Sequence, residues 1–151
     1  MKAVVQRCSS ASVIADGLPA GSIQKGLLVL LGVNETDSLY EAELLANKVS
    51  ALRIFTDEND KMNLSVNDVN GSILAVSNFT LCADTKKGNR PSFTAAMEPV
   101  CANTLYEKFC QKILDNGIPV EKGVFGADMQ VSMVGDGPIT IVLDTDIWSK
   151  K

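Results

Sequence analysis

The order of apolar and polar residues divides the chain into strands and two amphipathic helices. Lys2 to Ala15 is rich in β-branched and small apolar residues and reads as a strand, broken by the turn signal Asp16-Gly17-Leu18-Pro19. A second strand covers Gly26 to Val33. Thr36 or Asp37 supplies a helix N-cap, and behind it Ala42, Leu45, Ala46, Val49 and Leu52 recur at the spacing of one helical face. Arg53-Ile54-Phe55 returns to extended chain and meets the polar turn Asp57-Glu58-Asn59-Asp60. Ser72 to Leu81 is a strongly apolar strand, followed by an irregular stretch from Ala83 to Ser92. Pro99 suits the first turn of a second helix whose core face is Ala102, Leu105, Tyr106, Phe109 and Ile113, with Gly117 as its stop. Three strands close the chain: Val120 to Phe125, Met129 to Val134 and Ile139 to Asp146.

The resulting order, ββ-α-ββ-α-βββ, does not alternate strictly and argues against a doubly wound parallel sheet. It predicts an α+β fold, a curved, barrel-like, mostly antiparallel or mixed sheet partly covered by two helices. No repeat, low-complexity tract or long linker divides the chain, so residues 1–151 are expected to form a single domain. Two helices cover too little area for so much apolar strand, and a partner subunit is expected to bury part of it.

Composition then removes whole classes of chemistry. With 46% apolar and 21% charged residues in 151, the chain can bury a substantial core. Met1-Lys2 runs directly into Ala3-Val4-Val5 without the layout of a secretory signal, and the Leu27–Val33 run is too short for a bilayer. The expectation is a cytosolic protein with no membrane partner. Cys8, Cys82, Cys101 and Cys110 show neither Cys-x-x-Cys nor zinc-ribbon spacing, which favours reduced thiols, Cys110 packing on a helix face. The chain has no histidine, which excludes Ser-His and Cys-His couples and every His-ligated metal centre. Proton transfers must then use carboxylates, lysine, water or the substrate. A net charge of −4 argues against a general nucleic-acid coat but leaves room for a local patch, Lys86, Lys87 and Arg90, or the closing Lys150-Lys151.

Four segments could carry chemistry. Ser77-Asn78-Phe79-Thr80-Leu81 ends an apolar strand with hydroxyls and an amide; alternation would put Ser77, Phe79 and Leu81 on one face, Asn78 and Thr80 on the other. By pattern alone it is either a strand leaving the core or the wall of a site. Gly135-Asp136-Gly137-Pro138-Ile139-Thr140 carries a turn signal and an X-Pro bond, the one place where a cis peptide is cheap. Its spacing fits a plain hairpin turn equally well. Lys87-Gly88-Asn89-Arg90-Pro91-Ser92-Phe93 is basic and anchored by an aromatic, yet lacks P-loop spacing. Phe125-Gly126-Ala127-Asp128-Met129-Gln130-Val131 puts small residues before a strand, with Asp128 the nearest acidic candidate and no second carboxylate spaced to pair with it.

Taken in order, these segments resemble the D-aminoacyl-tRNA deacylase family from Met1 to about Leu143. The opening Met1-Lys2-Ala3-Val4-Val5-Gln6-Arg7 with Ala11-Ser12-Val13 is similar to that family's first strand. Gly26–Val33, Arg53-Ile54-Phe55, Lys61-Met62-Asn63-Leu64, Arg90-Pro91-Ser92-Phe93 and Ala127–Val131 follow in its order. Ser77–Leu81 resembles its signature Ser-Gln-Phe-Thr-Leu with Asn78 for Gln, and Gly135–Thr140 resembles Asn-x-Gly-Pro-Val-Thr with Gly135 for Asn and Ile139 for Val.

The resemblance implies a homodimer acting on the aminoacylated 3′ end of tRNA, with no cofactor and no metal. Gly137-Pro138, with a cis bond, would enter the partner subunit's pocket, held there with the help of Arg7. Its carbonyls would fix the substrate's α-amino group and exclude L side chains. Ser77, Asn78, Phe79 and Thr80 would line the pocket around the terminal adenosine and the ester, with Met129 beside them. The implied reaction is hydrolysis of D-aminoacyl-tRNA and of glycine mischarged on tRNA(Ala). Ser77, Phe79 and Thr80 are the catalytic candidates. Without histidine Thr80 has no base to activate it, which favours a water nucleophile assisted by the ribose 2′-OH and by backbone N–H groups near Phe79 and Thr80, with Thr80 as covalent nucleophile the competing reading. Lys86, Lys87 and Arg90 would touch the acceptor stem. Two alternatives stand beside this reading: an editing deacylase acting on L-alanyl-tRNA, and a non-catalytic dimer that binds RNA ends.

Overall fold

The computed structural model describes residues 1–149, Ser149 for its backbone alone. The pair Lys150-Lys151 lies outside the described residues. The chain forms β1 (Lys2–Ala15), β2 (Leu18–Ile23), β3 (Gly26–Gly32), α1 (Leu39–Ala51), β4 (Phe55–Thr56) and β5 (Met62–Leu64). It continues with β6 (Ser72–Ser77), a 3₁₀ turn over Phe79–Cys82, α2 (Pro99–Asp115), β7 (Val120–Lys122), β8 (Met129–Asp144) and one helical turn, α3 (Asp146–Ser149).

The fold is α+β with a mixed, nearly closed sheet, as the element order predicted. β1 is its axis: its first half pairs antiparallel with β3, its second half with β2, and its whole length with β8. β3 pairs parallel with β6, and β6 with β7. Curvature then brings β2 against β7. A Cβ on Gly21 would stand 2.6 Å from the Lys122 carbonyl oxygen, so only glycine lets the two backbones approach this closely.

Alternation gives β3 and β6 two apolar faces. Val29, Leu31, Ile73 and Ala75 pack beneath the helices with Ala46, Val49, Phe109 and Ile113. Leu28, Leu74 and Val76 turn the other way, into a second cluster with Ala11, Val13 and Ile23. The core face expected for α2 is the one observed, with Leu105 half-buried at its margin. Cys8, Cys82 and Cys110 are buried and Cys101 is exposed, all four unpaired. Burial pushes the Cys110 thiol up to about 12.

Five expectations need correcting. The N-cap of α1 is Ser38, not Thr36 or Asp37: the Ser38 hydroxyl accepts from the Tyr40 N–H, and Glu41 reaches back to the Ser38 N–H at 2.7 Å. Asp37 is engaged elsewhere, accepting from the Met1 ammonium at 2.7 Å and the Asn34 N–H at 2.6 Å. The turn at Asp16-Gly17 is followed at once by β2, whose Pro19 and Gly21 weaken any sequence signal; pairing with β1 makes the strand. β6 stops at Ser77, and Phe79–Cys82 coils into a 3₁₀ turn. Gly32 permits this, since a Cβ there would meet Leu81 Cβ at 2.8 Å. The strand expected over Val120 to Phe125 ends at Lys122. Finally, Gly135–Pro138 is not a hairpin turn, because β8 runs straight through it, and register shifts against Cys8 take up the irregularity.

Candidate active site

The second face of the sheet opens into a cavity of about 910 Å³. Its floor is strand: Leu28, Leu30 and Val76, with Met129, Val131 and Met133 from β8. Its rim is loop and helix start: Ser77, Asn78 and Phe79, then Phe93, and Phe125 to Ala127 before β8. Glu98 and Pro99, at the head of α2, complete it.

The 3₁₀ turn shapes the polar side of this cavity. The Asn78 N–H donates to the Leu31 carbonyl at 2.7 Å, holding the turn on the end of β3. The Thr80 hydroxyl donates to the Asn78 side-chain carbonyl at 2.5 Å. That bond directs its proton at an amide oxygen, which is no base. The Phe79 and Thr80 N–H groups open the turn and have no preceding turn to bond. Phe79 is 56% exposed. Its ring meets that of Phe93 edge-on, centroids 5.1 Å apart. Phe93 anchors the basic loop beside the cavity: reciprocal bonds between Asp84 and Ser92, 2.7 and 2.9 Å, clamp the loop's ends, so Lys86, Lys87 and Arg90 are exposed at its outer part.

Ser77, Asn78, Phe79 and Met129 are therefore brought to one cavity, and Thr80 sits on the adjoining turn. Gly137, Pro138 and Arg7 are not in it. The Gly137-Pro138 peptide is cis and exposed on β8, away from this chain's own cavity. Arg7, nearly buried, holds the segment before it: Nε donates to the Asp136 carbonyl at 3.2 Å and pairs with its carboxylate at 3.1 Å. Nη1 donates to the Ile54 carbonyl at 2.9 Å, so one guanidinium fastens β8 to the β4 segment. Gly137 has φ +129°, and a Cβ there would meet the Ile139 nitrogen at 2.8 Å.

Asp128 does not reach the cavity. It is exposed, and its N–H donates to the Asp16 carboxylate at 3.2 Å to brace the β1–β2 turn. The carboxylate on the rim is Glu98, which caps α2 by accepting from the Cys101 N–H at 2.6 Å. Sequence reading assigned no role to Gln6, Phe125 or Glu98. Gln6 is one of several polar residues of β1, with Lys2, Arg7, Ser9, Ser10 and Ser12, so the pattern did not single it out. Among the described residues no three acidic or cysteine side chains gather as a metal site, and no helix is long and apolar enough to cross a membrane.

The family model described as D-Tyr-tRNA(Tyr) deacylase matches residues 4–144. A D-aminoacyl-tRNA deacylase of Koribacter versatilis (strain Ellin345) is 57% identical over 145 residues, 96% of this chain and 97% of that protein. One from Anaeromyxobacter dehalogenans (strain 2CP-C) is 54% identical over 145 residues, with the same coverage of 96% and 97%. Among solved structures, the c-Myc DNA Unwinding Element Binding Protein superimposes with a TM-score of 0.90 at 41% identity, over 95% of this chain and 98% of that one. A probable eukaryotic D-amino acid tRNA deacylase superimposes with a TM-score of 0.79 at 17% identity, over 94% and 97%, a likeness of fold.

Proposed function

The chain belongs to the D-Tyr-tRNA(Tyr) deacylase family, and from that premise we propose that it hydrolyses D-aminoacyl-tRNA, and glycine mischarged on tRNA(Ala), to free amino acid and tRNA in the cytoplasm. It is an enzyme of that family, a carboxylic ester hydrolase serving translational proofreading. Residues 1–151 act as one deacylase-like domain. The observation that carries the reading is identity of 57% and 54% to such deacylases across nearly the whole chain.

Water is the nucleophile. The chain has no histidine, and the Thr80 hydroxyl is committed to an amide oxygen instead of a base. The amides of Phe79 and Thr80 stabilise the oxyanion, Ser77 and Asn78 contact the ester and ribose, and the 2′-OH of the terminal ribose assists the attack. The RNA thus supplies part of the catalytic apparatus. Met129 closes the floor, and Lys86, Lys87 and Arg90 reach acceptor-stem phosphates through a salt-sensitive contact.

Chirality is read across a homodimer. Gly137 and Pro138 of one subunit enter the other's cavity, where their carbonyls bind the α-ammonium and leave no room for an L side chain. Two observations support this. Arg7 holds Asp136, the residue before Gly137-Pro138, while the pair itself is absent from its own chain's cavity. β8 pairs only with β1 among the described residues and exposes Val134 and Val142, a strand that a second copy would cover.

Subunit mixing tests it. Phe79→Ala disables the cavity and Gly137→Ala distorts the donated segment, so each homodimer should be slow. A mixed dimer contains one intact cavity facing one intact segment, and mixing should restore activity. Absence of recovery, with subunit exchange verified, would place both elements in the same subunit. A substrate ending in 2′-deoxyadenosine, charged at the 3′ oxygen, should bind but react slowly. Equal rates for ribo and deoxy substrates would remove the 2′-OH from the mechanism.

A further inference from the structure

Gln6 is a polar side chain in the cavity floor to which the mechanism above gives no work. It lies in the middle of β1, between Leu28 of β3 and Thr140 of β8. Its neighbour Arg7 faces the opposite side of the strand, toward Ile54 and Asp136, and alternation turns Gln6 into the cavity. Its register neighbour Leu28 and the next inward residue of β3, Leu30, are apolar and line the same cavity. Among the described residues its amide has no hydrogen-bond partner, while those of Asn78 and Asn116 do. A primary amide presents two N–H donors and a carbonyl acceptor, and a ligand that displaced water without pairing them would bind poorly.

The same cavity holds three phenylalanine rings, Phe79, Phe93 and Phe125. Flat apolar surfaces with a single donor–acceptor pair suit a heteroaromatic base: the ring lies against the aromatics and its edge pairs with the amide. The volume of about 910 Å³ admits a nucleoside. The aminoacyl group is a poorer match for Gln6. Its ammonium only donates, and its side chain varies between substrates, so a fixed donor–acceptor pair has nothing constant to read. The constant group at the end of every tRNA is adenine, whose N6 amino group donates beside a ring nitrogen that accepts. A glutamine amide satisfies both at once.

We propose that Gln6 is a specificity-determining residue that reads the edge of the terminal adenine, its carbonyl accepting from N6–H and its amide N–H donating to the adjacent ring nitrogen. The assignment rests on the deacylase reading. It places the base on the cavity floor and leaves the ester at the Ser77–Thr80 rim.

The test pairs a change in the protein with a change in the RNA. Uncharged acceptor-stem minihelices ending in adenosine or in purine riboside, which lacks the N6 amino group, are titrated against wild type and Gln6→Leu. Leucine matches the surrounding wall, and thermal unfolding checks that the fold is kept. Wild type should bind the adenosine end about tenfold more tightly than the purine riboside end. Gln6→Leu should bind both equally, near the weaker wild-type value. D-tyrosine release from D-tyrosyl-tRNA is followed with the same wild-type protein. Release without any N6 preference, or an N6 preference that survives in Gln6→Leu, overturns the assignment and leaves the deacylase reading standing. A Gln6-dependent preference without release supports base reading and overturns the deacylase reading instead.

Discussion

The two faces of β3 and β6 carry nearly the same side chains and have opposite fates. Val29, Leu31, Ile73 and Ala75 are sealed beneath α1 and α2. Leu28, Leu30 and Val76, one residue along each strand, floor an open cavity. Side-chain chemistry does not separate them; what covers each face does. The helix face is closed by its own chain and should respond to mutation as a core does. The exposed rim of the cavity face is left for a ligand and should show in the reaction much more than in stability, whereas Leu28 and Val76 beneath it are buried and should matter to both.

The largest break in that comparison comes from Phe109, wholly buried under the helices. Phe109→Ala should cost about 3–5 kcal/mol in urea unfolding. Phe79→Ala, on the exposed rim, should change stability by less than about 0.5 kcal/mol. It should nevertheless slow single-turnover deacylation by roughly tenfold to a hundredfold, if the ring has the substrate-positioning role proposed for it. If Phe79→Ala unfolded the protein as readily as Phe109→Ala, the rim would be core and the division between the faces would fail.

Thr80→Ala sharpens the account on the cavity side. With only an amide oxygen as the hydroxyl's partner, its loss should slow the chemical step by less than about tenfold, the scale of one hydrogen bond. A loss of roughly 10⁴-fold or more, the scale seen on removing a true nucleophile, would restore Thr80 to that role.

A smaller effect belongs to the helix face and appears only at high pH. Burial raises the Cys110 thiol from its ordinary value to about 12 in the folded chain. The folded form therefore holds its proton where the unfolded form has lost it. Stability from this group is complete below about pH 8.5, the ordinary thiol value, and declines as pH rises toward 12. The unfolding midpoint should fall between pH 8.5 and 11, and Cys110→Ala should flatten that slope. A wild-type midpoint flat over this range would contradict the assigned burial.

Sequence periodicity found both helices because each lays one apolar stripe on the sheet, and it found β1, β3 and β6 as runs of apolar residues. It could not find β2, which is made by pairing with β1 and carries proline and glycine. Nor could it see that β8 passes through Gly135–Pro138, since a bulged strand and a hairpin share the same glycines. The cavity was legible as Ser77, Asn78 and Phe79, polar and aromatic residues at the end of a core strand, together with Met129. Its apolar floor was not, because Leu28 and Val76 are buried and carry the same pattern as the helix-face residues. Glu98 drew no reading at all; the structure makes it the N-cap of α2 as well as part of the cavity rim.

Release of free amino acid from matched D-tyrosyl- and L-tyrosyl-tRNA is the measurement that bears most directly on the whole account. Rapid release of D-tyrosine by the unmodified protein without added metal or cofactor is expected, with L-tyrosyl-tRNA decaying no faster than in buffer. Hydrolysis of L-alanyl-tRNA in place of the D substrate would mean an editing enzyme of the other chirality. Binding of both RNAs with release from neither would mean a protein that only holds RNA ends, and either result would contradict it.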